Sequence, residues 1–213
     1  MNDTLTFGLY AFTAFLALIN PLGVTPVFLT MTSDLTQKQR VKTAFTAVLT
    51  AFITLTIFAF AGQLLFKFFG ISVAAFRVAG GIIFFMMGFD MLNARVSRLK
   101  YDSADVEKEM NDIAVTPLGI PMIAGPGSIT NAIVLMDDAD TFSHKIILPV
   151  AILVVLLATF FAMVAGGSIT RFLGETGNRI MLKLMGLIMM VIAVEFFFAG
   201  LKPILQGIFP VAL

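Results

Sequence analysis

Charged residues fall along this chain in short clusters, and the stretches between them stay apolar for longer than a soluble helix needs. The first apolar run extends from about Phe7 to Met31 and stops at the polar turn Thr32-Ser33-Asp34. A second, from about Thr43 to Phe66, stops at Lys67, and a third covers about Ile71 to Asn93. One wet segment follows, 94–112, with Arg95, Arg98, Lys100, Asp102, Asp105, Glu107, Lys108, Glu109 and Asp112. The fourth run, about Ile113 to Met136, stops at Asp137-Asp138-Ala139-Asp140. The fifth spans about Ile146 to Ile169, and the sixth about Ile180 to Ile208. Each exceeds the roughly 20 residues a helix needs to cross a bilayer. The pattern predicts an all-α membrane protein of six transmembrane helices, forming a single domain over residues 1–213.

Composition agrees. The chain is 59% hydrophobic and 13% charged, with a mean hydropathy of +0.99. A soluble globule of 213 residues leaves too much of its chain at the water boundary to hide that apolar surface. A net charge of +1 leaves no electrostatic footprint for nucleic acid. Cysteine is absent, which excludes disulfide and thiol chemistry. The N-terminal Met-Asn-Asp-Thr lacks the basic region of a signal peptide, so the first apolar run is expected to stay in the protein. The basic residues set an orientation. Lys38, Arg40, Lys42, Arg95, Arg98, Lys100, Lys108, Arg171, Arg179 and Lys183 all fall on one side, against Lys67, Arg77, Lys145 and Lys202 on the other. The positive-inside bias therefore predicts a cell (inner) membrane protein with both termini outside the cytoplasm.

Two of the runs carry proline and glycine where a helix should be continuous. Asn20 to Pro26 reads Asn-Pro-Leu-Gly-Val-Thr-Pro, and Thr116 to Gly127 reads Thr-Pro-Leu-Gly-Ile-Pro-Met-Ile-Ala-Gly-Pro-Gly. Proline removes a ladder donor and glycine weakens the helix, so helices 1 and 4 are predicted to be discontinuous near mid-membrane. Pro21-Leu22-Gly23 matches Pro117-Leu118-Gly119. Arg77, Gly80 and Asp90 in the third run match Lys183, Gly186 and Glu195 in the sixth. Three helices per copy is an odd number, so the copies must be inverted. The predicted halves are about 1–93 and 113–208, joined by a cytoplasmic loop at about 94–112.

The run Ile19-Asn20-Pro21-Leu22-Gly23, the block Pro117-Leu118-Gly119-Ile120-Pro121-Met122-Ile123-Ala124-Gly125-Pro126-Gly127-Ser128, and Leu184-Met185-Gly186-Leu187-Ile188 together resemble the MarC (SnatA-like) family of six-helix membrane proteins. The resemblance covers nearly the whole chain. It implies a transporter of small neutral amino acids, of the glycine, alanine or serine type, with discontinuous first and fourth helices.

Broken helices expose free N–H groups on one half-helix and free carbonyls on the other, which suit the two charges of a small zwitterion. Asn20, Thr25, Ser128 and Asn131, with Thr130, offer side-chain hydrogen bonds. Gly23, Gly119, Gly125 and Gly127 leave room for close approach of backbone to solute. The competing reading is that these residues only kink or pack helices. Asp90 and Glu195 are acids inside apolar runs and are candidates for sodium or proton coupling, with no other cofactor and no metal expected. Interfacial anchoring explains Arg77 and Lys183 equally well. His144, the sole histidine, is expected to be a solvated loop residue. Ala158, Ala162 and Gly166 put small residues on one face of the fifth helix, a packing stripe. Gly166-Gly167-Ser168 resembles the Gly-x-Ser of intramembrane serine proteases. Ser168 and His144 stand roughly a bilayer apart at opposite ends of the fifth helix, so no enzyme is expected. Alternatives left open are export of drugs or other metabolites, and a non-transporting membrane scaffold. Substrate identity, direction of transport and oligomeric state are not legible.

Overall fold

A computed structural model describes residues 4–33, 35–93 and 106–208. The described residues are almost wholly helical and contain no strand. In order they form α1 (Thr4–Ile19), α2 (Pro21–Met31), α3 (Gln37–Phe69), α4 (Val73–Leu92), α5 (Val106–Ile113), a π-type stretch Ala114–Ile123, α6 (Pro126–Asp137), α7 (Phe142–Ala165) and α8 (Gly167–Ile208). Five spans are long and apolar enough to cross a membrane, and the bent pair Met110–Ile123 and Pro126–Asp137 makes a sixth. The predicted loop at 94–112 is helical from Val106 onward, and its residues 94–105 lie outside those described. The sixth helix also departs from expectation. It begins at Gly167, not Ile180, so Lys183 sits well inside it and not at a helix start.

α3 lies at the centre because its inner face is made small. Ala44, Ala47, Ala51, Leu55, Ala59 and Gly62 recur at helical spacing and are buried, letting the π-type stretch, α6 and α7 approach closely. Phe15 of α1, Phe28 of α2 and Leu148, Ile152 and Leu156 of α7 fill the remaining core. The α2–α3 turn is tied by Arg40, whose guanidinium donates to the carbonyls of Thr32 and Ser33 at 2.8 Å each. A cation there also offsets the negative end of the α2 dipole.

α4 and α8 form the most extensive helix pair. Ala74, Gly81 and Gly88 face Gly200, Ala193 and Gly186, at seven-residue spacing on both helices and in antiparallel register. A methyl on Gly81 would lie 2.8 Å from the Ala193 carbonyl oxygen, and one on Gly88 2.8 Å from that of Gly186. Backbones touch along this seam, and even an alanine would not fit at Gly81, Gly88 or Gly186 without a shift. Of the packing stripe expected on the fifth helix only Gly166 is buried, where a methyl would lie 2.5 Å from Thr25 Cγ2 of α2; Ala162 is half-buried and Ala158 exposed.

Candidate functional site

Each interruption in the helices falls on a residue that precedes a proline. Asn20 precedes Pro21, Thr116 precedes Pro117, Ile120 precedes Pro121 and Gly125 precedes Pro126. A proline ring clashes with the preceding residue in the right-handed helical region and pushes it elsewhere. Thr116 (φ −136, ψ 120), Ile120 (φ −134, ψ 125) and Gly125 (φ −81, ψ 170) are extended. Asn20 instead takes the left-handed conformation (φ 48, ψ 72), which asparagine tolerates better than most residues.

At the first interruption the chain advances by one residue between α1 and α2. Asn20 caps α2 with its own side chain, its Oδ1 accepting from the Gly23 N–H at 3.1 Å. Gly23 leaves room for that amide, since a methyl on it would lie 2.6 Å from Asn20 Nδ2 and displace the cap. The donors at the start of α2 are therefore partly used. Acceptors are not: Pro21 has no N–H, so the carbonyl of Ala17 loses its helical donor at the end of α1.

The second interruption is wider. It runs through the π-type stretch, and the axis turns by 59° between the segment ending at Ile123 and α6. Gly125 stands at the N-cap of α6 and has no side chain to cap with. The N–H groups of Gly127 and Ser128 in the first turn thus lack the capping partner that Asn20 gives α2. Asn131 lies one turn beyond Gly127, and its Nδ2 is buried without a partner. This end of the site is rich in donors.

One cavity of about 50 Å³ lies beside both interruptions. Asn20 and Gly23 line it from the first, Met122 from the second, and Ile188 and Ile192 of α8 close the far side. Its other walls, Leu18 and Phe84, reach the second interruption: Phe84 packs on Gly125, and Leu18 lies 3.1 Å from the place a methyl on Gly127 would occupy. The structure therefore brings Asn20, Gly23 and Met122 to one space, with Gly125 and Gly127 behind its Phe84 and Leu18 walls and Ser128 and Asn131 further along α6. Glycine at 125 is demanded by the Phe84 ring and the Pro121 carbonyl, whereas a methyl on Gly127 would press only lightly on Leu18 and Phe196.

Other predicted residues lie elsewhere. Thr25 is buried against the end of α7, its Oγ1 donating back to the Pro21 carbonyl at 2.7 Å. Gly119 packs on Thr50 of α3, where a methyl would lie 3.0 Å from its Cβ. Asp90 and Glu195 are exposed on the flanks of α4 and α8, away from the cavity. His144 corrects the expectation of a solvated loop residue. It lies in the first turn of α7, 5% exposed, because its ring stacks on Phe7 at 4.5 Å, a flat aromatic contact that covers the imidazole even though its Nδ1 is left without a partner. The matched Pro-Leu-Gly triplets also play different parts. Pro21 opens the half-helix after its break, and the residue in that role in the other half is Pro126, not Pro117. The side chain of Ser168 is outside the described residues. Sequence reasoning missed the apolar walls, Leu18, Phe84 and Ile192, since nothing marks a cavity-lining hydrophobe from a lipid-facing one.

A bundle of this kind, with interrupted spans around a small internal space, is a multi-pass α-helical integral membrane protein. The pattern that defines the MarC family of integral membrane proteins matches residues 5–205, and the chain belongs to that family. It is 38% identical over 209 residues to the UPF0056 membrane protein YvbG of Bacillus subtilis, covering 97% of each chain. It is 38% identical over 202 residues to a UPF0056 membrane protein of Pyrococcus horikoshii, covering 95% of this chain and 98% of the other. It is 34% identical over 199 residues to the UPF0056 membrane protein YhcE of Escherichia coli, covering 92% of this chain and 93% of the other. No solved structure matches the chain.

Proposed function

We propose that this protein is a secondary transporter of small neutral amino acids, holding its solute between the two helix interruptions and exposing it to each side in turn. One arrangement carries the reading: a small cavity lined by Asn20, Gly23 and Met122 lies beside both interruptions, with an uncapped α6 start and a buried, unpartnered Asn131 Nδ2 behind its Leu18 and Phe84 walls, and with the Ala17 carbonyl deprived of its helical donor by Pro21. A zwitterion needs both, its carboxylate toward the N–H groups of Gly127 and Ser128 and the Asn131 amide, its ammonium toward the Ala17 carbonyl and Asn20. The cavity is also small. Drug-sized ligands occupy roughly 300–1,000 Å³, so export of a larger apolar solute is the weaker alternative, and a scaffold with no solute leaves the orphaned donors unexplained.

Alternating access follows from an inverted repeat. Support for that repeat comes from the half-helices α2 and α6, each opening on a proline just after an interruption. Thr25 and Thr130 stand four residues beyond those prolines, both buried. The third helices of the two halves, α4 and α8, then pack on one another in antiparallel register about the repeat axis. Placement in the inner membrane with both termini outside rests on the basic-residue asymmetry and on bacterial relatives such as YvbG and YhcE.

The test is binding of radiolabelled glycine, alanine and serine to purified protein, followed by flux into proteoliposomes under imposed sodium or proton gradients. Binding is expected, with loss on Gly125→Leu and none on the lipid-facing Leu157→Ala. Absence of binding by all three amino acids overturns the reading, and flux unaffected by either gradient removes ion coupling from it.

A further inference from the structure

We propose that the hollow among α3, α4 and α6 is the mouth of the solute path at one membrane face, and that Ile133 seated on Gly62 is its gate. This deepens the transporter reading and rests on it. The hollow has a volume of about 470 Å³ and is lined by Gln63, Lys67, Ser72, Ile133, Val134 and Asp137, among others. Lys67 and Asp137 offer it one charge of each sign and are not paired with one another, which suits a solute charged at both ends.

Two stripes of residues lead from this hollow toward the depth of the interruptions. On α3, Thr56, Gln63 and Lys67 share a face, because a seven-residue step returns to within about 20° of its start in an α-helix. On α6, Thr130, Val134 and Asp137 follow one another at four- and three-residue steps along one face. The deepest members of the stripes are hydroxyls with an unusual property. Thr13, Thr25, Thr30, Thr43 and Thr159 all donate back to the carbonyl four residues earlier, the ordinary way for a threonine in an apolar helix to satisfy itself. Thr56 and Thr130 do not. Their Oγ1 atoms are buried with no partner, and Thr130 is only 1% exposed. Hydroxyls left unmade inside an apolar bundle are costly, and a polar solute or its water passing along the seam supplies the missing partner.

Between hollow and hydroxyls the seam is shut. A methyl on Gly62 would lie 2.5 Å from Ile133 Cγ1 and 2.7 Å from its Cδ1, so the isoleucine fills the space that the glycine leaves, and it is 2% exposed. The structure is closed at this face. Truncating Ile133 should leave an opening from the hollow to Thr130.

Because the chain lacks cysteine, single substitutions report access directly. The experiment labels Val134→Cys, Thr130→Cys, and Thr130→Cys combined with Ile133→Ala, using a charged, membrane-impermeant methanethiosulfonate on sealed vesicles of both orientations. Val134→Cys should react from one face only and identifies the face of the hollow. Thr130→Cys should be unreactive alone and react at least tenfold faster with Ile133→Ala, from that same face. Equal, slow labelling of both Thr130→Cys proteins overturns the gate, as does labelling of the double variant from the opposite face only. A protein that binds no amino acid but still shows the gated labelling would refute the solute class and leave the gate standing.

Discussion

The two helix interruptions use the same device, a proline that evicts its predecessor from the helix, and arrive at opposite chemistry. At the first, Asn20 folds its side chain onto the Gly23 N–H, so α2 starts capped and the acceptors of α1 stay free. At the second, Gly125 can cap nothing, and α6 starts with its donors unclaimed while Asn131 adds another. A single side chain makes the difference. Had both ends been capped, the site would present only carbonyls and suit a cation. Had both been bare, it would have bound anions at either end and lost its polarity. On the proposed reading, this asymmetry between the two interruptions gives a solute with two charges one way round to bind.

The sharpest way to break this comparison is to fill the bare end. A leucine at 125 would drive carbons into the Phe84 ring and toward the Pro121 carbonyl oxygen, which a methyl alone would approach to 2.7 Å. Backbone cannot yield as a side-chain tip can. Amino acid binding by Gly125→Leu, followed by equilibrium binding of labelled glycine, should fall by at least roughly 100-fold, close to 3 kcal/mol. Gly23→Ala at the capped end meets only the Asn20 amide, which can swing aside, and should cost roughly tenfold.

Substitutions at Asn20 separate its two duties. Asn20→Ala loses the cap and must hold an L-residue without a compensating side chain in the left-handed region, for about 1–2 kcal/mol from each source. Asn20→Gly restores the backbone freedom and loses only the amide. Thermal unfolding in detergent should therefore rank wild type, then Gly, then Ala. Binding by Asn20→Gly within about threefold of wild type would assign the residue to the cap alone. A larger loss would place its amide on the solute.

At the donor end, Asn131→Asp is the informative change. It keeps the shape and exchanges a free donor for a carboxylate beside the N–H groups offered to the solute's own carboxylate. Like charges close together repel, and glycine affinity should fall by roughly tenfold. A cationic analogue with its carboxylate amidated should lose far less. Equal losses for both ligands would show that the carboxylate does not lie at α6.

Much of this arrangement could be read from the chain, because its signals are local. Length and hydropathy mark the spans. Prolines sort themselves too: Pro21, Pro117, Pro121 and Pro126 each have a glycine within two residues and interrupt the helix, whereas Pro26, Pro149 and Pro203 have none that near and ride inside α2, α7 and α8. Proline biases its neighbour out of the helix, and a nearby glycine makes the departure cheap. The seam between α4 and α8 was also present as small residues at seven-residue intervals, Gly81 and Gly88 with Gly186, Ala193 and Gly200. What did not show was partnership. The Pro-Leu-Gly match pairs Pro21 with Pro117, while the role is shared with Pro126, because identical triplets record composition and not where a half-helix begins. His144 gave no hint that Phe7 would cover it. Nor does a threonine reveal from its neighbours whether it will satisfy itself, as Thr25 does, or wait unpaired, as Thr130 does.

The smallest effects are expected at the intramembrane acids, and they bear on the coupling ion. Asp90 and Glu195 looked suited to sodium or proton coupling because a carboxylate inside a span is costly. Both are exposed on the outer flanks of the α4–α8 pair, whereas the backbone seam and the cavity lie on its inner side. Neither carboxylate lines the cavity. Asp90→Asn and Glu195→Gln should change glycine affinity by less than about twofold. If flux still follows a sodium or proton gradient in both variants, these two acids drop out as ion ligands, and the freed Ala17 carbonyl and the unpartnered hydroxyls of Thr56 and Thr130 become the next oxygens to test. Loss of gradient dependence in Glu195→Gln, with binding intact, would instead couple the lipid-facing flank to the site through the rigid α4–α8 seam. In that case Gly186→Leu, which forces the seam apart, should uncouple the protein in the same way.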